Sequence, residues 1–210
     1  MSSGLAKDHR ANPAACIRIN QLYGIPVLMS GLGTIVLKNS EIDILSQHHK
    51  KTLTNLQKLH NNTPDPVVFF LSGTLPGHAQ LHLNQFSIFG MITHLPRSIL
   101  HQHAIRVLSY SKPSSMSWFT QIRDLFLKYL LPHPLTFIYE PIPKNQFKLL
   151  IRKKVQDYWQ VQLRAATSDL KSLLYFKPDY MSLSRPHPLW TTASSNPYET
   201  SKAIVQARML

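Results

Sequence analysis

Apolar residues return every three or four positions along most of this chain, the period of helices buried on one side. Over "EIDILSQHHKKTLTNLQKLH" the stripe is Ile42, Leu45, His49, Leu53 and Leu56. Ser40 precedes it and Asp43 stands three residues on, a capping-box-like start; "NNTPDP" breaks the run. Leu81, Phe86, Phe89 and Ile92 predict a helix within "LPGHAQLHLNQFSIFGMITHLP", ending by Pro96, and "RSILHQHAIRVLSY" a shorter one. Phe119, Ile122, Phe126 and Leu130 stripe "SWFTQIRDLFLKYLLP", which Pro132 ends. The longest helix is predicted over about 144–170, with Phe147, Ile151, Val155 and Tyr158 on one face and Trp159 and Leu163 widening it.

Other segments are less regular. Pro13 suits a first helical turn, and "AACIRINQLYG" continues from it to Gly24. The apolar run "IPVLMSGLGTIVL" fits a buried helix, with a strand as the alternative; Ser30, Gly31 and Gly33 would let another element pack closely. "VVFFLSG" (67–73) fits a strand or a short buried helix, and "KSLLYFKPDYMSLSRPHPLW" reads as an irregular aromatic segment laid over helices. Beyond the turn at Asn196 and Pro197, helix formers run from Tyr198 with Ala203, Ile204 and Ala207 at helical spacing, and no stop signal precedes Leu210. No strand ladder and no fixed-period repeat is visible. The expected fold is all-α, an irregular bundle of about seven to nine helices with Pro-marked turns. "SKPSSM" (111–116) is the best internal boundary, dividing 1–110 from 111–210.

Composition narrows the class. The chain has 210 residues, 43% apolar and only 16% charged, with 15 Pro against 7 Gly, which argues against an acidic or Gly/Ser-rich disordered chain. No apolar run is long enough to span a bilayer, and "MSSGLAKDHRANPAACIRIN" has no apolar core of a signal peptide. Its single cysteine, Cys16, excludes an internal disulfide and a multi-cysteine zinc site. A reducing compartment, nucleus or cytoplasm, and no membrane partner are expected.

Charge points to a partner class. The net charge is +13, and a field of that sign gathers polyanions, nucleic acid first and anionic membrane second. Residues 141–210 hold 11 Lys and Arg against 4 Asp and Glu, the largest surplus along the chain. Within it "KLLIRKK" gives Lys148, Arg152, Lys153 and Lys154, with Lys144 and Arg164 as outliers, mostly off the apolar stripe of the long helix. These six are the candidate nucleic-acid-binding residues. Lys and Arg neutralise phosphates, and Phe147, Tyr158 and Trp159 could stack on unpaired bases. The rings fit a core stripe better; for the cations, charge alone leaves phosphate contact and a merely solvated face equally open.

Candidate catalytic chemistry is thin. His78 and His82 share a helix face at metal-ligand spacing, but Ala79 stands where a metalloprotease places Glu, and no third ligand is obvious. A solvated or capping role is the plainer reading, and His48, His49, His101 and His103 read as structural. "SGLGT" (30–34) lacks the third glycine and the lysine of a phosphate loop. Cys16 has no His/Asn partner at a family-typical spacing. Ten scattered carboxylates, without an Asp-Asp pair, do not suggest two-metal phosphoryl transfer. No catalytic residue, metal or cofactor is expected.

Five stretches taken together carry a resemblance: "NQLYGIPVLMSGL", "LSGTLPGHAQLHLNQFSIFGMITHLP", "SWFTQIRDLFLKYLLPHPLTF", "VQDYWQVQLRAATSDLKSLLYFKPDYMSL" and "HPLWTTASSNPYETSKAIVQARML". In this order they resemble the region that follows the polymerase core in the reverse-transcriptase proteins of non-LTR (LINE-like) retrotransposons. The resemblance implies thumb-like helices over 1–110 and a basic linker over 111–210. It implies that the parent's catalytic aspartates and endonuclease lie upstream of Gly4–Leu5, and that a Cys/His zinc knuckle follows Leu210. The implied role is gripping RNA or a template–primer duplex beside the polymerase domain, without catalysis. The rivals are an inert or protein-interaction helical fragment lacking that polymerase domain, and reverse-transcriptase activity by family-level transfer, against which the absent aspartates argue.

Overall fold

A computed structural model describes residues 12–110, 112, 116–170, 173, 176, 181–192 and 197–208. Among them every regular element is helical, and the fold is all-α: α1 (Pro13–Ile19), α2 (Ile25–Met29), α3 (Asn39–Leu56), α4 (Asp65–Ser72), α5 (Gly77–Thr93), α6 (Ile99–Tyr110), α7 (Trp118–Lys128), α8 (Pro134–Tyr139), α9 (Lys144–Ser168), α10 (Pro188–Thr192) and α11 (Pro197–Arg208). Eight of these are seven residues or longer. Prolines punctuate them as expected, standing in the first turn of α1, α4 and α8, where the missing N–H costs nothing. No helix of the described residues is long and apolar enough to cross a membrane.

The chain divides into two compact units. The first comprises Met1–Leu28, Ile42–His78 and Trp159–Leu210; the second comprises Met29–Glu41 and Ala79–Tyr158. Residues 111 and 113–115, most of the suggested boundary, lie outside the described residues, as do 171–172, 174–175 and 177–180 of the aromatic segment.

The first unit is built around α4. Every residue from Pro66 to Ser72 is buried, so the run left open between strand and helix is a helix with no exposed face. Gly73 ends it in the left-handed region (φ 61°), and any Cβ there would run into the backbone of Arg185 and Pro186. His49 and Leu53 of α3 lie in the core as their stripe predicts. The Nε2 of His49 donates to the carbonyl of Leu75 at 3.1 Å, and Gln57 donates to Leu53 and Val68 carbonyls, each at 3.1 Å. Of the aromatic segment, Leu173, Phe176, Leu183 and Trp190 are buried. In α11, Ala203, Ile204 and Ala207 face inward as expected.

The second unit has an aromatic core. Leu81, Phe86, Phe89 and Ile92 of α5 are all buried, as are Phe119, Ile122 and Phe126 of α7. Phe86 and Phe89 meet Phe126 edge-on, with centroids 5.2 and 5.3 Å apart, and Phe137 meets Phe147 at 5.4 Å, the offset geometry that aromatic quadrupoles favour.

Four local expectations are corrected, and one element is new. The helix opened by Pro13 does not end at Gly24; it passes through a π-turn (Asn20–Gly24), whose glycine gives way to the Asn20 carboxamide, into α2. The run "IPVLMSGLGTIVL" is not one buried helix. Gly31 breaks it at φ 76°, a short 3₁₀ turn follows, and Val27, Ile35 and Val36 are exposed. Close packing does hold at Gly33, where a Cβ would stand 2.8 Å from Asn84 and Ile88. The start of α3 is capped at Lys38 rather than Ser40, since Glu41 accepts from the Lys38 N–H at 2.8 Å. Leu130 leaves the α7 stripe at φ 52° and is 83% exposed, with Leu131 buried in its place. The six-residue α8 was not foreseen: a run this short, hemmed by prolines, shows no readable period.

Candidate nucleic-acid interface

Helix α9 starts immediately after Pro143, whose carbonyl accepts from the Phe147 N–H at 3.0 Å. Phe147, Ile151 and Val155 are buried and fix the rotation of its N-terminal half. That rotation turns Lys144, Lys148 and Arg152, spaced one helical turn apart, along a common edge, all three exposed. A helix rises 1.5 Å per residue, so successive cations are about 6 Å apart along the axis.

This edge borders a groove of about 430 Å³ within the second unit. Its α9 wall is Lys144, Asn145, Lys148 and Arg152; its α5 wall is Gln80, Leu83, Ser87 and Met91; Phe86, Gly90, Phe147 and Ile151 complete the lining. Gly90 sets the depth. A Cβ there would stand 2.8 Å from two carbons of the Phe147 ring, so only glycine lets that ring lie against α5. No carboxylate lines the groove. Among the described residues none of the three cations makes an ion pair, in contrast to Lys50 with Asp65 and Arg123 with Asp124.

The electrostatics of α9 are unusual for a helix. Its first turn carries no acid and begins with a lysine, although the N-terminal end of the helix dipole favours negative charge. The arrangement is slightly unfavourable for the isolated helix and concentrates positive potential at one end of the groove.

The other predicted site residues are placed differently. Lys153 is exposed and Lys154 half-buried, and neither lines the groove. Arg164 is half-buried in the first unit, a separate body from the groove. Phe147 is core, while Tyr158 and Trp159 are half-buried. Tyr158 packs edge-on against Tyr129 at 5.1 Å, and the Lys128 ammonium lies 5.4 Å from its ring centre, with burial pushing that lysine's pKa down. Sequence reasoning missed the α5 wall. Its signal was present in the small residues Ser87 and Gly90, three apart on a helix otherwise rich in large side chains.

Two of the histidines bridge separate side chains. His82 is buried and its Nδ1 lies 2.6 Å from the Tyr129 hydroxyl, so a solvated role does not apply to it. In the first unit His78 bridges two groups of α3, with Nδ1 2.6 Å from Ser46 Oγ and Nε2 3.1 Å from Asp43 Oδ1. His48 is exposed and His103 meets the Phe119 ring at 5.7 Å. Cys16 is buried, which pushes its thiol pKa up and its reactivity down. Among the described residues no group of three or more His, Cys, Asp or Glu is placed to hold a metal ion. No family model matches this chain, and no curated protein or solved structure does either.

Proposed function

We propose that this chain is a non-catalytic piece of a non-LTR retrotransposon reverse-transcriptase protein, the thumb and linker region after the polymerase core, and that it binds RNA or DNA without reading sequence. The observation that carries the binding reading is the row of three unpaired cations, Lys144, Lys148 and Arg152, on one edge of a carboxylate-free groove. Unpaired exposed cations at helical pitch suit a regular polyanion, and phosphate contacts position a strand without specifying its bases. The retroelement origin rests on the five sequence stretches that resemble that family.

Fluorescence anisotropy of the purified chain with an RNA hairpin, a primer–template duplex and single-stranded DNA tests the binding. Affinity is expected to fall steeply between low and physiological salt, as counterion release requires. A folded, monodisperse sample that binds none of the three at low salt overturns it. Primer extension by this chain alone, above background, overturns the non-catalytic part.

A further inference from the structure

We infer that the α5–α9 groove seats an unpaired base of a single strand, while the strand's phosphates run along Lys144, Lys148 and Arg152. The inference rests on the nucleic-acid reading above and adds which form of nucleic acid the site takes.

The walls differ in chemistry. All the charge lies on the α9 side, while the floor is apolar: half-buried Leu83 and exposed Met91 give its accessible part, over Phe86, Phe147 and Ile151, which are at most 5% exposed. A duplex offers such a site phosphates only, because its bases are stacked inside and their faces cannot reach a recessed floor. It would engage the cations and leave the apolar floor unused. A single strand offers both parts together: a phosphate line for the edge, and planar apolar faces that can turn inward. A volume of about 430 Å³ has room for a base with its sugar. Met91, 52% exposed at the rim, supplies a polarizable thioether surface on which a ring can lie.

Sequence tolerance follows from the remaining polar groups. Gln80 and Asn145 carry carboxamides, and each presents either a donor or an acceptor by turning over. Both can therefore meet the edge of any base. An acidic peptide would satisfy the cations too, but a peptide helix docks through apolar anchors repeated over several turns. Here the cationic edge spans only residues 144–152, about 12 Å of helix.

The test uses the full chain and three labelled probes of equal length: oligo-uridine RNA, the same strand made abasic, and a duplex. At physiological salt the oligo-uridine is expected to bind about tenfold more tightly than the abasic strand, the range of one base seated on an apolar surface. Ser87→Leu, which narrows the groove with an aliphatic side chain and offers no ring for a base to stack on, is expected to erase most of that difference. Equal binding of uridine and abasic strands overturns the inference while leaving phosphate binding intact, and this comparison needs no variant. A base-dependent difference that survives undiminished in folded Ser87→Leu also overturns it, because the base then sits elsewhere. An acidic amphipathic peptide that binds in a Ser87→Leu-sensitive way, without displacing the oligo-uridine, overturns it in favour of a protein partner. Failure of all three probes at low salt removes the nucleic-acid reading itself.

Discussion

At the scale of single residues, His49 shows how the core holds a titratable group. His49 is 1% exposed, and its neutral ring donates to Leu75 while stacking near Phe69 at 6.2 Å. Burial pulls its pKa from 6.5 down to about 4. The unfolded chain takes up a proton on this ring as pH falls through about 6.5, and the folded chain only near 4. Across that window the unfolded state binds more protons, so stability falls with falling pH, by about 3 kcal/mol in total from this one group. Urea unfolding at pH 7.5 and pH 4.5 checks it. His49→Gln keeps a donor for Leu75 and cannot titrate, so its stability is expected to drop less between the two pH values. An equal drop in both chains would place the acid sensitivity elsewhere.

Elements show where sequence reading succeeds and where it cannot. The apolar buried positions of α9 and α11 were legible because apolar residues recur at helical spacing over several turns; α5 showed its apolar stripe but not that His82, Gln85 and Thr93 are buried too, since burial around most of a helix leaves little periodic contrast. The all-α class followed from those helices. α8 and the break at Gly31 were not legible, since six residues carry less than two turns and a glycine's left-handed φ leaves no periodic trace. Of the candidate site, the cations of α9 were readable from charge, but their division was not. The side of the helix that each occupies, Lys144, Lys148 and Arg152 on the groove and Lys153 and Lys154 off it, depends on how Phe147 docks on Gly90. The first turn of α9 yields a prediction of opposite signs. Lys144→Glu should stabilise the fold slightly, by about 0.3–1 kcal/mol, because it places negative charge at the positive end of the helix dipole. The same change should weaken RNA binding severalfold. Thermal unfolding and anisotropy on one sample decide it; a fall in both would mean that Lys144 is a packing residue.

For the whole molecule the question is whether +13 acts as a diffuse cloud or as a site. A diffuse field raises the local concentration of any polyanion and depends only on net charge. A site depends on which cations are removed. The triple change Lys144→Ala, Lys148→Ala and Arg152→Ala removes three charges from the groove edge. Lys51→Ala, Arg106→Ala and Lys202→Ala remove three exposed charges on α3, α6 and α11, none of them lining the groove. Both proteins keep the same net charge, so a diffuse field would weaken RNA binding equally in the two. If the edge is the site, each lost phosphate contact reduces the slope of log affinity against log salt by about 0.7 for a single strand or 0.9 for a duplex. The groove triple should then be shallower than the parent by about 2 to 3, and the matched control by less than 1. Affinity measured at four salt concentrations for the three proteins separates the cases, because the slope counts contacts whereas affinity at one salt does not. Identical slopes in the two variants would assign binding to the overall field and strip the α5–α9 groove of its role.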